Sequence, residues 1–429
     1  MARVNFNTYG CSNNFAETEI MSGLLKKEGY EIVKTPEEAN LIIFNACTVK
    51  GNTSVTRDIK RITQNNPDKK VIITGCITPD LIPDIKKIKK DISLLSTRNI
   101  NQIAEVADNT LKGHVVESLE KNNHPKILLP KVRKNDIISI VPICSGCNSF
   151  CSYCSTKLVK GDTFSYPIKD IRREVENSIK DGCKEIWLTG QDTACYGKDI
   201  NANLAQLLEE LVKIDGDFKI RVGMMNPRNA LLFADNLVKV MSDEKIFKFL
   251  HIPLQCANDR ILSKMLRGHT YNQYAEFLDK FKKNIPDMTI ATDIIVGFPT
   301  ETEDEFKDTL NSIKKLDFDI VNISKFQPRP GTLAAKMPQL KREIINERSK
   351  RLTDEFRANS KDINNKWIGW QGKVLIDEKG KDGKMIGRNY AYKLVEVPYG
   401  NIGDIIDVKI ISADTFHLVG EKISKESNN

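Results

Sequence analysis

The feature that most narrows what this chain can fold into is a loop with three closely spaced cysteines, Gly146-Cys147-Asn148-Ser149-Phe150-Cys151-Ser152-Tyr153-Cys154. The C-x3-C-x2-C run directly follows a strand-like apolar stretch at 137–143. The chain carries ten cysteines in 429 residues. No apolar stretch approaches the ~20 residues that a membrane-spanning helix needs, and Met1-Ala2-Arg3-Val4-Asn5 holds no secretory apolar core. We therefore expect a cytoplasmic protein, in which grouped thiols serve metals or catalysis rather than disulfides. Three thiolates on one short loop can hold three irons of a cubane 4Fe-4S cluster and leave the fourth open to a small molecule. The competing reading is zinc, because Cys144 and Cys147 add a second C-x2-C pair to Cys151 and Cys154. Zinc sites of that type separate the two pairs by about a dozen residues or more, and only three intervene here. Cys144, inside the predicted strand, is read as a buried apolar thiol. Cys183, Cys195 and Cys256 show no pattern and are expected in the core.

Around this loop the hydrophobic pattern alternates between strand and helix. Residues 1–115 read as a small α/β domain with a parallel sheet, with strand-like runs at 4–7, 41–45, 71–74 and 93–95 and helical patterns at 16–28 and 54–64. A polar segment at 116–136 reads as a linker. Residues 137–340 repeat the alternation, with strands at 137–143, 185–189, 219–223, 247–251, 289–296 and 319–325. Helical patterns at 168–180, 202–213, 231–241, 259–265, 271–284 and 302–316 separate or follow them, the last with a capping box at Thr302 and Glu305. Six β/α units predict a partial α/β barrel whose working face lies at the carboxyl ends of its strands. A charged helix at 341–365 follows. The segment 366–429, with short β-type runs between glycines, reads as a small β-barrel.

The same carboxyl-end rule singles out three more cysteines. Cys11, Cys47 and Cys76 each follow one of the first three strands, in Tyr9-Gly10-Cys11, Asn45-Ala46-Cys47 and Thr74-Gly75-Cys76. In an open parallel sheet these ends share one edge, so the three thiols can converge, or they can be three independent buried cysteines. Gly10 and Gly75 would let backbone approach a bulky group.

With these residues in place the chain resembles the radical S-adenosylmethionine (SAM) methylthiotransferases. The cysteine loop is their hallmark. Thr8-Tyr9-Gly10-Cys11, Asn45-Ala46-Cys47-Thr48, Thr74-Gly75-Cys76, His251-Ile252-Pro253-Leu254-Gln255, Met265-Leu266-Arg267-Gly268, Asp293-Ile294-Ile295-Val296-Gly297-Phe298-Pro299 and Arg329-Pro330-Gly331-Thr332 agree with it, and the tail resembles a TRAM domain. Asp192-Thr193-Ala194-Cys195-Tyr196-Gly197 is most similar to the archaeal and eukaryotic branch, which acts on N6-threonylcarbamoyladenosine beside the tRNA anticodon; Cys195 stands where that branch usually has glycine. Related branches act on isopentenyladenosine or on a ribosomal-protein aspartate.

The resemblance implies a SAM-binding 4Fe-4S cluster on Cys147, Cys151 and Cys154, and an auxiliary 4Fe-4S cluster on Cys11, Cys47 and Cys76. It implies that one SAM is cleaved to a 5′-deoxyadenosyl radical that takes hydrogen from C2 of adenine, that another donates the methyl group, and that an external electron donor and a sulfur source are needed. SAM contacts are expected from Gly190, Gln191, Asp192, Gln255, Asp293 and Gly297, and a substrate contact from Arg329. The expected partners are tRNA and a reducing electron carrier, with no membrane and a monomeric enzyme. A non-catalytic iron–sulfur or zinc RNA-binding protein is the alternative from another class; it would leave the barrel unexplained.

The net charge of +8, from 65 Lys and Arg against 57 Asp and Glu, is weak evidence for a polyanion by itself. Phosphate contacts are expected from Lys157, Lys160, Arg172 and Arg173 near the loop, from Arg342, Arg348, Lys350, Arg351 and Arg357 on the helix, and from Lys373, Lys379, Lys381, Lys384 and Arg388 on the tail. Trp367, Trp370, Tyr390 and Tyr392 are candidates for base stacking or barrel core. Neither G-x-x-x-x-G-K-[ST] nor G-x-G-x-x-G occurs, and no H-x-E pairs with a P-C-x-x-C, which disfavours nucleotide-loop enzymes and zinc nucleobase deaminases.

Overall fold

The structure, a computed structural model, describes residues 1–47, 52–120 and 122–423, with the side chains of 52–54 outside that description; Thr48 therefore lies outside it. Its first sheet is wholly parallel, with order β2-β1-β3-β4-β5-β6. The strands are β1 (Arg3–Thr8), β2 (Glu31–Val33), β3 (Leu41–Ala46), β4 (Lys70–Gly75), β5 (Ser93–Leu95) and β6 (Glu117–Ser118). Side-chain alternation sends Leu41, Ile43 and Ile72 to one face, against Ile20, Leu25 and Ile103. It sends Ile42, Phe44, Val71 and Ile73 to the other, against Val55, Ile59 and Ile85. Both faces are buried, as a parallel sheet requires. The short edge strands β2 and β6 carry too few apolar residues to announce themselves in the sequence. The segment expected as a linker begins with β6 and then buries Lys126, so it is part of the packing rather than a free tether.

A second body follows, with β7 (Ile138–Pro142) and a two-strand ribbon of β8 (Cys144–Ser145) and β9 (Phe164–Ser165) around the cysteine loop. Then come β10 (Glu185–Thr189), β11 (Lys219–Val222), β12 (Phe249–His251), β13 (Thr289–Val296) and β14 (Ile320–Lys325). Strands β7, β10 and β11 pair in parallel, as do β12, β13 and β14. A bridge between Ile220 and Ile246 joins the two sets, giving a six-stranded partial barrel. Along β10, Ile186 and Leu188 pack outward under the helices, while Trp187 and Thr189 face the lumen. The Thr302–Glu305 capping box forms as the sequence predicts.

The helix Arg342–Asn365 buries Ile345, Leu352 and Phe356. It leads to a closed barrel of β15 (Gln371–Lys379), β16 (Met385–Arg388), β17 (Leu394–Val397), β18 (Ile405–Ala413) and β19 (Leu418–Lys422), in order β15-β16-β17-β19-β18. Its core is Val374, Ile376, Val395, Val408, Ile410 and Leu418. This barrel sits under the amino ends of the partial barrel's strands. Lys248 N donates to Tyr390 O at 2.8 Å, Lys184 Nζ to Gly403 O at 2.7 Å, and Lys393 Nζ to Asp319 Oδ1 at 2.6 Å. No helix among the described residues is long and apolar enough to cross a membrane.

Candidate active site

Strands β1, β3 and β4 are neighbours, and Cys11, Cys47 and Cys76 stand just past their carboxyl ends. Two glycines make the approach possible. Gly10 has φ +113°, and a Cβ on it would lie 2.7 Å from both Cβ and Sγ of Cys47; at Gly75, with φ +89°, a Cβ would lie 2.5 Å from Ala46 O. The edge is braced by Asn14 and Asn45. Asn14 Nδ2 donates to Asn45 Oδ1 at 2.9 Å and to Ala46 O at 3.0 Å, and Asn45 Nδ2 donates back to Asn14 O at 2.8 Å. Burial pushes the Cys76 thiol up to about 12, against the opposing charge of Lys160; a bound metal inverts that logic by deprotonating its thiols. Three thiols on a glycine-cleared edge fit a three-cysteine iron–sulfur ligand set.

Behind this edge lies a buried ionic knot that the sequence did not reveal. Oε1 of Glu17 accepts hydrogen bonds from Lys126 Nζ at 2.6 Å, Lys160 Nζ at 2.7 Å, Thr97 Oγ1 at 2.7 Å and Asn13 Nδ2 at 3.0 Å. All three charged groups are nearly inaccessible to solvent. Burial opposes ionisation of Glu17, yet the two ammonium groups hold its carboxyl down to about 2. Lys160 belongs to the short helix Thr156–Lys160 that follows Cys154, so the knot ties the two cysteine sets together.

The Cys147–Cys154 loop leaves β8 through Gly146, whose φ is +79° and whose Cβ would strike Asp162 O at 2.0 Å. Gly146 N donates to Gln191 Oε1 at 2.7 Å, and Cys147 N to Gly161 O at 3.0 Å. The buried Arg267 aims Nη1 at Cys151 Sγ, 3.3 Å away, and donates Nη2 to Pro253 O at 2.8 Å. Cys195 is buried, as expected, and lies against Cys147 and 2.9 Å from Asp192 Oδ2. Its hydrogen bond holds the Cys147 thiol below its ordinary value against the penalty of burial. Cys144 is buried, as expected, and would contact a Cβ at Gly190. Cys183 and Cys256 are buried as well.

A single cavity of about 840 Å³ brings both triads together: Cys11, Cys47, Cys76, Cys147, Cys151 and Cys154 all line it. Gly190, Gln191, Asp192, Gln255 and Asp293 line it too. Gln255 has a strained φ of +74° and an Oε1 without a partner among the described residues. Asp293 accepts from Asn322 Nδ2 at 2.8 Å and meets His251 Nε2 at 3.3 Å; these contacts outweigh burial and hold its carboxyl below the usual range. Asp192 is committed internally, with Oδ1 on Ala194 N and Asn226 N and Oδ2 on Asn229 Nδ2 and Cys195. It shapes the loop rather than offering a free oxygen. Gly297 is not among the cavity-lining residues; a Cβ there would strike Ile345 at 2.5 Å, so the glycine admits the long helix. Arg329 also lies outside the lining, but its guanidinium feels the charges of Cys154 and Cys47, one cysteine of each triad.

Some expected phosphate contacts are withdrawn by burial. Lys160 is in the knot, Arg348 is buried on Glu301 at 2.9 Å, and Arg388 pairs with Asp377 at 3.0 Å. Trp367 and Tyr392 are buried, while Trp370 and Tyr390 are half-buried and pack with Trp367.

The profile of the Radical SAM superfamily matches residues 141–313, that of Uncharacterized protein family UPF0004 residues 3–96, and that of the TRAM domain residues 371–423. A probable threonylcarbamoyladenosine tRNA methylthiotransferase of Pyrococcus horikoshii is 40% identical over 431 residues, covering 99% of this chain and all of the relative. The threonylcarbamoyladenosine tRNA methylthiotransferase of Drosophila melanogaster is 36% identical over 438 residues, covering 99% of this chain and 78% of the relative. Among solved structures, the radical SAM methyltransferase TsrM of Kitasatospora setae, with cobalamin and a 4Fe-4S cluster bound, aligns with a TM-score of 0.56 at 14% identity over 78% of this chain and 77% of that one. That likeness carries the fold alone. The full-length relatives carry more, and the chain belongs to the radical-SAM threonylcarbamoyladenosine tRNA methylthiotransferase family.

Proposed function

We propose that this protein adds a methylthio group to C2 of N6-threonylcarbamoyladenosine beside the anticodon of tRNA. The observation that carries the reading is the one cavity lined by two separate cysteine triads. When bound, a reduced 4Fe-4S cluster with SAM supplies a carbon radical able to take hydrogen from an unactivated C–H bond, chemistry that no side chain offers. Cys147, Cys151 and Cys154 would hold that cluster, with the Arg267 guanidinium beside Cys151 Sγ orienting the loop. Gln191 fixes the start of the loop, and Gly190, Gln255 and Asp293 present surfaces on which SAM would lie. Cys11, Cys47 and Cys76 would hold a second 4Fe-4S cluster from which sulfur is delivered, and the Lys160–Glu17–Lys126 knot holds their edge at a fixed place relative to the first loop. Arg329, within electrostatic reach of both triads, would contact the substrate.

The division of labour follows the chain. Residues 1–115 carry the sulfur site, 137–340 the radical site and 366–429 an RNA-binding barrel, with 116–136 and 341–365 joining them. An external reductant and a sulfur source complete the reaction, carried out by a cytoplasmic monomer.

The test is nucleoside mass spectrometry on tRNA carrying threonylcarbamoyladenosine, after anaerobic incubation with the reconstituted protein, SAM and a reductant. We expect a methylthio mass gain on that nucleoside together with 5′-deoxyadenosine. If 5′-deoxyadenosine forms without the gain, the substrate assignment is wrong. Absence of both from iron-loaded protein refutes the enzyme reading.

A further inference from the structure

The lumen floor carries a cation that the chemistry above does not use. Arg221 projects from β11 into the cavity. Its guanidinium carbon lies 5.3 Å from the ring centre of Trp187, 5.1 Å from that of Phe249 and 5.3 Å from that of Tyr392. The three rings come from β10, from β12 and from the C-terminal barrel. Among the described residues none accepts a hydrogen bond from the guanidinium, and its Nε is buried without a partner. Aromatic faces attract a cation, but they offer its five N–H donors at most weak π contacts in place of a lone pair.

The neighbouring acids offset it only in part. Arg388 and Asp377 pair with each other at 3.0 Å. Glu185 takes a hydrogen bond from Trp187 Nε1 at 2.8 Å, and burial, aided by Asp377, pushes its carboxyl up to about 7. Lys157 and Lys134 also line the cavity, but Lys157 is engaged by Asp162 and Lys134 lies over the Phe15 ring. Arg221 is thus a planar donor fork ringed by three aromatic side chains and lining the cavity, with donors able to recognise a carboxylate in two-point fashion.

We propose that Arg221, held in the Trp187–Phe249–Tyr392 cage, binds the carboxylate of the amino-acid substituent on the target adenine and so selects a threonylcarbamoylated base over an unsubstituted one. This rests on the substrate reading above, because isopentenyladenosine and adenosine lack a carboxylate. SAM carries a carboxylate too, and the experiment separates the two sources.

The experiment measures binding to the reconstituted protein, without reductant, of an anticodon stem-loop bearing threonylcarbamoyladenosine. Comparison probes are the same RNA with plain adenosine, the same RNA with the threonyl carboxylate converted to an amide, and SAM. A charge-assisted pair of this kind corresponds to about 10- to 100-fold in affinity. The wild-type protein should prefer the carboxylate RNA over both other RNAs by that factor. Arg221→Met should abolish the preference and leave plain-adenosine RNA and SAM binding as they were, and Arg221→Lys should retain part of it. The amide arm leaves the protein untouched, so a folding defect cannot mimic the result. If the wild-type protein shows the preference and Arg221→Met keeps it, or if the amide binds as well as the acid, the Arg221 assignment is overturned while the substrate reading stands. A loss confined to SAM binding assigns Arg221 to the cofactor and overturns the proposal. No preference in the wild-type protein overturns the substrate reading and this proposal together.

Discussion

Replacing Glu17 by glutamine tests the ionic knot most directly. The substitution keeps the shape of the side chain and its capacity to accept a hydrogen bond, but it leaves Lys126 and Lys160 buried side by side with no counter-charge. Breaking a buried pair by removing one partner costs about 3–5 kcal/mol. Linkage gives a similar figure: a carboxyl held at about 2 instead of its ordinary 4.5 contributes about 3 kcal/mol at neutral pH. Because the folded-state value is depressed, that stability is present above pH 4.5 and is lost as pH falls toward 2. For a domain of this size 1 kcal/mol moves the midpoint by about 2–4 °C. Calorimetry of the metal-free protein at pH 7 should therefore show the transition containing the N-terminal sheet lowered by about 10 °C. Adding Lys160→Met to Glu17→Gln should recover much of the loss, since one unpaired charge is then removed. A shift of less than about 3 °C for the single variant, or no recovery in the double, would refute the claim that the knot is a net stabiliser of the junction.

Other expectations concern the edge bearing the N-terminal cysteines and the floor of the chamber. Gly75→Ala forces a Cβ to 2.5 Å from Ala46 O at a positive φ, a strain of about 1–3 kcal/mol or more; reconstituted variant protein should lose iron from the N-terminal triad while keeping the Cys147 loop loaded. Cys151→Ala should abolish 5′-deoxyadenosine formation, whereas Cys47→Ala should preserve it and block methylthio transfer; a Cys47 variant that still modifies tRNA would end the two-site scheme. Glu185, raised to about 7, favours the folded state most below pH 4.5, and that contribution fades as pH rises through 7. Glu185→Gln should flatten the dependence of the thermal midpoint between pH 5 and 8, and an unchanged slope would show that Glu185 does not titrate in this range.

Much of this was legible in the chain because it depends on local rules. The β/α alternation gives both parallel bodies, and strands 93–95, 185–189 and 289–296 agree in extent with those formed. The placement of Cys11, Cys47 and Cys76 after strands identified an edge where thiols meet, since parallel strands end together. What stayed hidden needs contacts across long separations. Glu17 meets Lys126 109 residues away and Lys160 143 residues away, and nothing in the local pattern distinguishes these residues from surface charges. Lys160, Arg348 and Arg388 were misread for that reason, since a basic residue in a polar stretch looks exposed until tertiary packing covers it. Gly297 was expected at the cofactor from the family resemblance, and the space its missing side chain clears is used by Ile345, which lies far along the chain. Arg221 occupies an ordinary alternate position on a strand and gains meaning only when three rings from distant segments close around it.

The position of the small C-terminal barrel has a consequence for engineering this enzyme. Asp377, Glu378 and Arg388 of that barrel line the same chamber as the six cysteines, and Tyr392 supplies one wall of the arginine cage. The TRAM unit is therefore not an interchangeable handle. Grafting it from a relative to redirect the enzyme to other transcripts would also rebuild part of that chamber's wall, so changes in RNA preference and in turnover should be inherited together.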